Sequence, residues 1–140
     1  MFVLDTNVLS AMMRLQLEPQ IAAWIAAQPA ELLFTTSLSQ AEILSGLAIM
    51  VEGRRRRDLE AAARAMFLED FNGRVLPFDG EAATAYASIF AARRRAGRPA
   101  ATLDLMIASV AQSRGASVVT RDTSGFEGCG ITLINPWTLT

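Results

Sequence analysis

The chain contains no lysine and no histidine, and all 13 of its basic residues are arginine. Serine-, cysteine- and histidine-dependent triads therefore have no imidazole to serve as base, and Ser–Lys dyads and phosphate-binding P-loops have no lysine. A single cysteine, Cys129, excludes an intrachain disulfide and a cysteine-rich zinc site, so a small buried or loop thiol is expected there. No apolar run approaches the length of a membrane span, and the first residues lack the basic start and long apolar middle of a signal peptide. A cytoplasmic protein with no membrane contact is the expectation. The net charge of −1 shows no bulk preference for polyanions, so a nucleic-acid partner requires the arginines to be segregated from the acids.

With 140 residues, 51% of them hydrophobic, the chain has the size of one compact domain, expected over 1–140. Short β-branched and aromatic runs, "FVL" at 2–4, "LLFTT" at 32–36, "RVLPF" at 74–78, "SVVT" at 117–120 and "ITLI" at 131–134, read as strands. Between them lie helical patterns at about 6–14, 19–28, 38–51, 55–71 and 81–96. A sixth helix runs from Thr102 to a stop at Gly115, with Leu103, Met106, Ile107, Val110 and Ala111 forming its apolar stripe. Loops are expected at Gly53, 72–74, 96–100 and 124–130. Strands separated by helical crossovers predict an α/β/α sandwich around a mostly parallel sheet of about five strands.

Ligands of such sheets bind beyond the carboxyl ends of the strands. Asp5 follows "FVL", and Asp122 follows "SVVT" by one residue. Glu42 lies early in the helix after "LLFTT", and Asp104 lies in the first turn of the helix beginning near Thr102. Each acid has a structural explanation. Asp5 can cap a helix, Glu42 can close a capping box with Ser39, Asp104 can serve the helix dipole, and Asp122 can be a turn residue. Together they point elsewhere, because Glu42 and Asp104 sit in largely apolar helices where half-buried carboxylates need compensation, and four converging carboxylates repel unless a cation lies between them. An all-oxygen set suits Mg²⁺ or Mn²⁺ rather than zinc. With no conventional neutral-pH base in the chain, the indicated chemistry is metal-assisted hydrolysis of a phosphate ester.

"FVLDTNVL", "SLSQAEILSGL" at 37–47, "LDLMIASVAQSRGASVVTRDTSGFEG" at 103–128 and the closing "NPW" resemble a PIN-domain ribonuclease, specifically the VapC or FitB-like toxins of bacterial type II toxin–antitoxin pairs. The resemblance covers essentially the whole chain. It implies a Mg²⁺-dependent endoribonuclease in which Asp5, Glu42, Asp104 and Asp122 hold Mg²⁺ or Mn²⁺. Thr6, Asn7 and Thr120 match small polar positions that orient the carboxylates and water. It also implies an RNA substrate, a small cognate antitoxin, and a homodimer or larger hetero-oligomer. A PIN nuclease devoted to RNA processing without an antitoxin, or a catalytically silent RNA- or partner-binding module, are the alternatives. A haloacid-dehalogenase-like phosphatase wants a second Asp where this chain has Asn7, and a response-regulator receiver wants a lysine.

"RRRR" at 54–57 stands near a helix start, where positive charge opposes the macrodipole, and this makes Arg54 and Arg55 candidates for binding RNA. Asp58 and Glu60 nearby keep the solvated-face explanation in play. Arg93, Arg94, Arg95 and Arg98 close a helix, where cations suit the dipole. Arg121 is a further RNA-binding candidate, although a continuing strand would turn it away from Asp122. The stretch 7–28, with Met12, Met13, Leu15, Leu17, Ile21, Trp24 and Ile25, holds more apolar surface than two peripheral helices need. The resemblance suggests that part of it receives an antitoxin helix that brings an arginine to the acids.

Overall fold

Every strand run forms, and most are trimmed, in the computed structural model, which describes residues 1–139. The strands are β1 (Phe2–Leu4), β2 (Leu33–Thr36), β3 (Val75–Leu76), β4 (Ser117–Val119) and β5 (Leu133–Ile134). The trimming follows the side chains: Leu32 closes a 3₁₀ turn at Ala30–Leu32, and Pro77 cannot donate to a ladder. The helices are α1 (Thr6–Met12), α2 (Pro19–Ala26), α3 (Ser37–Ala48), α4 (Arg54–Ala65), α5 (Gly80–Arg95) and α6 (Thr102–Ser113). The pattern expected over 55–71 does not stay α-helical. It widens after Ala65 into a π turn, Met66–Asp70, in which the Phe71 N–H reaches the Met66 carbonyl at 2.9 Å. That extra residue per turn brings Met66, Phe67 and Phe71 all into the core.

The five strands form one wholly parallel sheet in the order β3-β2-β1-β4-β5, with Phe2 opposite both Leu33 and Ser117. Alternate residues of a strand face opposite sides, and neighbours on β1 and β4 divide accordingly. Val3 and Val118 join a core with α5 and α6, whereas Leu4 and Val119 join one with α1, α3 and the start of the π turn. Burial on both faces explains why these strands read as continuous apolar runs. Helix α6 is buried more completely than its stripe suggests, since Leu105 and every residue from Ile107 to Ala111 are inaccessible. Cys129 is a free, buried thiol, as its isolation in the sequence leads one to expect.

Because the chain builds β1, β2 and β3 toward one edge and then crosses back to β4 and β5, the order reverses between β1 and β4. A crevice opens beyond the strand ends at such a reversal. The turn that feeds β4 into this place depends on Gly115, which has a φ of +65° just after α6. Gly115→Ala should cost about 1 kcal/mol in chemical denaturation, since a Cβ is disfavoured in the left-handed region, and Gly115→Asn should cost less. Equal stability of the alanine variant and the wild type would refute this account of the turn.

Candidate active site

Asp5 stands at the crevice, immediately after β1 and as the N-cap of α1, and is only 6% exposed. Its capping and clustering roles coexist, because its two oxygens point at different partners. Oδ1 accepts the Thr6 N–H at 2.8 Å, while Oδ2 accepts the Thr120 hydroxyl at 2.8 Å and the Asn7 side-chain amide at 3.4 Å. Thr120 thus ties the end of β4 to the end of β1 across the reversal. Its oxygen also receives the Asp122 N–H at 3.1 Å and the Asn7 amide at 3.2 Å. Asn7 spends its own oxygen on the Arg121 N–H at 3.1 Å.

The capping-box role for Ser39 does not materialise. Thr36 caps α3 through its hydroxyl, which accepts the Ser39 N–H at 3.1 Å, so Ser39 lies inside the helix and Glu42 one turn further along. Glu42 is also exposed rather than half-buried, because its helix faces solvent there while Ile43 and Leu47 face the core. Buried Ser39 instead accepts the Thr6 hydroxyl at 3.0 Å, which fixes α3 against the start of α1.

Asp104 sits in the first turn of α6, a helix with no side-chain cap, and is partly buried. Gly125, in the 3₁₀ turn Thr123–Phe126, lies against it. A Cβ built on Gly125 would stand 2.8 Å from Asp104 Oδ2 and 3.6 Å from Asp122 Oδ2. The missing side chain keeps open the space beside both carboxylates. Asp122 is exposed and accepts the Ser124 hydroxyl at 2.8 Å.

Asp5, Glu42, Asp104 and Asp122 line a single cleft of about 400 Å³, together with Thr6, Asn7, Ser10, Arg14, Glu18, Arg121 and Trp137. The electrostatics record the crowding. Burial pushes the Asp104 carboxyl up to about 6, and the negative fields of Asp5, Asp122 and Glu42 add to it, while Arg93 opposes them. Burial also raises Asp5, but its hydrogen bonds from Thr120 and Thr6 pull the other way. Among the described residues, no three His, Cys, Asp or Glu side chains already close on a common point as in a metal cage. The acids line an open cleft instead. An all-oxygen donor set lining an open cleft, with none of its four carboxylates in an ion pair among the described residues, fits a hard divalent cation that keeps part of its water shell.

The arginines divide. Arg121 lines the cleft rather than turning away, because β4 ends at Val119 and the chain is no longer extended strand. Arg55 lies in an adjoining hollow that shares Thr6, Ser10, Arg14 and Glu42 with the cleft, and Arg54 lies further out along the same trough. Arg54 approaches Asp58 at 4.0 Å, and Arg56 pairs with Glu60 at 2.5 Å, so part of this run stabilises α4 itself. Arg93 is not a solvated helix-end cation. It is 5% exposed, donates to the Glu127 carbonyl, and leaves its Nε without a partner among the described residues. The apolar surplus of 7–28 is mostly core as well: Met12, Met13, Trp24 and Ile25 pack against buried residues, whereas Leu15 stands 106% exposed. Sequence reasoning missed Arg14, Glu18 and Gly125, and assigned no role to Trp137. The closing "NPW" and the "TSGFEG" stretch were the signals that reached Trp137 and Gly125.

Comparison with known proteins gives a concordant result. The PIN domain family profile matches residues 2–128. A VapC ribonuclease of Sinorhizobium fredii is 40% identical over 137 residues, covering 98% of each chain. The toxin FitB of Neisseria gonorrhoeae is 33% identical over 137 residues, covering 98% of this chain and 99% of its own. The crystal structure of FitAcB from Neisseria gonorrhoeae superposes with a TM-score of 0.91, at 33% identity, over 99% of this chain and 100% of that one.

A carboxyl with a pKa near 6 in the folded protein and about 4 in the unfolded chain binds its proton more tightly when folded. Its stabilising contribution is complete below about pH 4 and is lost as pH rises through about 6. In metal-free buffer, Asp104→Asn should therefore raise the melting temperature at pH 7 by a few degrees, with the gain shrinking toward pH 4. A variant less stable than wild type at pH 7 would show that Asp104 is held by favourable contacts rather than strained by its neighbours.

Proposed function

We propose that this chain, which belongs to the PIN-domain family, is a Mg²⁺-dependent endoribonuclease that acts as the toxin of a type II toxin–antitoxin pair. The coarser assignment, a ribonuclease toxin, is supported by its VapC and FitB relatives. The observation that carries the finer one is the gathering of four carboxylates, from the ends of β1 and β4 and the starts of α3 and α6, into one cleft.

In this reading Asp5, Glu42, Asp104 and Asp122 would hold Mg²⁺, with Mn²⁺ able to substitute. The bound ion would supply activation of water and stabilisation of charge developing on the phosphate, which no histidine or lysine of this chain can provide. The chain's own residues set the geometry. Thr120 and the Thr6 N–H fix both oxygens of Asp5, and Asn7 orients Thr120 and Asp5 together. The Thr6–Ser39 hydroxyl contact holds the Glu42 helix against them. Net hydrolysis adds the water's hydroxyl to phosphorus and its proton to the leaving ribose oxygen. Arg55 and Arg121, with Arg54 further out, are positioned to bind RNA phosphates along the trough that continues from the cleft.

The cognate antitoxin fits the outer end of that trough. There Met13 and Leu15 face Leu59 and Ala62 of α4 across about 630 Å³, with Arg14, Arg54, Arg55 and Asp58 around them. An apolar segment lying in it would extend a basic residue toward the acids. Self-association into a homodimer, or a larger hetero-oligomer with antitoxin, has further apolar surface to use at Ile49, Val51 and Leu68, all exposed.

Purified protein should cleave total RNA in Mg²⁺ or Mn²⁺, and cleavage should stop in EDTA and return when metal is restored. Metal-independent cleavage that survives substitution of all four acids would overturn the mechanism. For the partner, Leu15→Glu should leave folding intact, because this side chain is fully exposed, yet weaken the complex with the product of an adjacent small reading frame about tenfold or more. Unchanged co-purification and unchanged relief of toxicity would move the antitoxin to another surface.

A further inference from the structure

A site made of four carboxylates repels the phosphates of the strand it is to cleave, so cations must flank it on the substrate side. Arg14 and Arg121 line the cleft, and neither makes an ion pair among the described residues. Arg121 differs in being held from several directions. Its guanidinium carbon lies 5.2 Å from the centre of the Trp137 ring. Its backbone N–H donates to Asn7 Oδ1 at 3.1 Å, and its backbone carbonyl accepts the Asn135 side-chain amide at 3.3 Å. Asn135 Oδ1 in turn takes the Trp137 N–H at 2.9 Å, which folds "NPW" into a tight turn beneath the arginine.

Trp137 is fixed as firmly as the residue it supports. Its indole N–H donates to Glu18 Oε1 at 3.2 Å, and its carbonyl accepts the Gln20 amide at 3.1 Å. Glu18 lines the cleft too, but its carboxylate is engaged by the indole and makes no ion pair with Arg121. We infer that Arg121 is a receptor for an RNA phosphate flanking the scissile bond, and that Trp137, locked by Glu18 and Asn135, is the positioning residue that holds its guanidinium at the mouth of the cleft. The inference rests on the ribonuclease reading and assigns the closing "NPW" a role in substrate binding.

The chemistry favours this division of labour. A guanidinium held over an aromatic face keeps N–H groups free for contact with phosphate, and holding it there in advance reduces the rotamer freedom lost when RNA arrives. Asn7 supplies the register. The same side chain touches Asp5 and Thr120 on one side and the Arg121 backbone N–H on the other, so the backbone that carries the guanidinium is tied to the acids, and Trp137 must set where the guanidinium itself lies.

The test is single-turnover cleavage of a fluorescently labelled single-stranded RNA by excess protein in Mg²⁺, across a range of salt. Arg121→Gln should raise the half-saturating protein concentration about tenfold, with a much smaller change in the rate at saturation. Its dependence on salt should lose roughly 0.7 of a unit of slope, the loss of one single-strand phosphate contact. Trp137→Leu should weaken half-saturation in the same direction while keeping the slope, because the charge remains, and Trp137→Phe should recover most of the loss. The Arg121→Gln/Trp137→Leu double variant should be scarcely worse than Arg121→Gln alone, as expected when one residue acts through the other. If Trp137→Leu does not fold, the comparison of Trp137→Phe with Arg121→Gln carries the test. Wild-type affinity and slope in Arg121→Gln, with cleavage by wild type intact, overturn this inference and leave the ribonuclease reading standing. Absence of any cleavage by wild type on total RNA overturns both.

Discussion

Mutual repulsion among carboxylates is the constraint around which this molecule is arranged. A parallel sheet whose strand order reverses offers a crevice beside two strand ends, and here acids arrive from both of those ends and from two helix starts. The most buried acid is also the best satisfied. Asp5 receives a backbone N–H, a hydroxyl and an amide, whereas Glu42 and Asp122 remain in solvent and Asp104 lies between these extremes. Burial and hydrogen bonding thus rise together toward the base of the cleft, so the hydrogen bonds from Thr120 and Thr6 work against the burial that disfavours charge on Asp5.

The same constraint shapes the placement of the remaining charge in a chain whose net charge is only −1. Its charges are sorted by position rather than balanced in number. Four carboxylates line one cleft beyond the sheet, with Arg14 and Arg121 in the same cleft and Arg55 in the hollow beside it. Arg93, buried and bonded to the Glu127 carbonyl, exerts a field that partly offsets the negative neighbours of Asp104. Hydroxyl and amide side chains, Thr6, Asn7, Ser39 and Thr120, occupy the space between the acids, so that neighbouring elements are joined by short polar contacts instead of apolar packing.

Much of this was legible in the sequence because its periodicities are strong. Doubly buried strands leave continuous apolar runs such as "FVL" and "SVVT", and these marked the sheet and therefore the edge where Asp5 and Asp122 fall. The contacts that shape the site were less legible, because they depend on residues far apart in the chain. Thr36 rather than Ser39 caps α3, which only the end point of β2 decides. Arg121 faces the acids because β4 stops two residues earlier. Gly125 matters through a close approach to Asp104, a residue from another helix, and Trp137 through Glu18, more than a hundred positions away. A buried Arg93 is likewise invisible in a run of arginines, since nothing local distinguishes it from Arg94 and Arg95. The π turn after α4 has the same origin: its geometry follows from where Met66, Phe67 and Phe71 find the core.

The central claim is that the four carboxylates form one divalent-cation site. Anomalous diffraction from crystals equilibrated with Mn²⁺ tests it most directly, because it locates the ion without reference to activity. Mn²⁺ density is expected within the cleft, in contact with Asp5 and Asp104 and within reach of Glu42 and Asp122, and should be lost in crystals of Asp104→Asn. Well-occupied Mn²⁺ elsewhere on the protein with none in the cleft, or cleft density unaffected by that substitution, would contradict it.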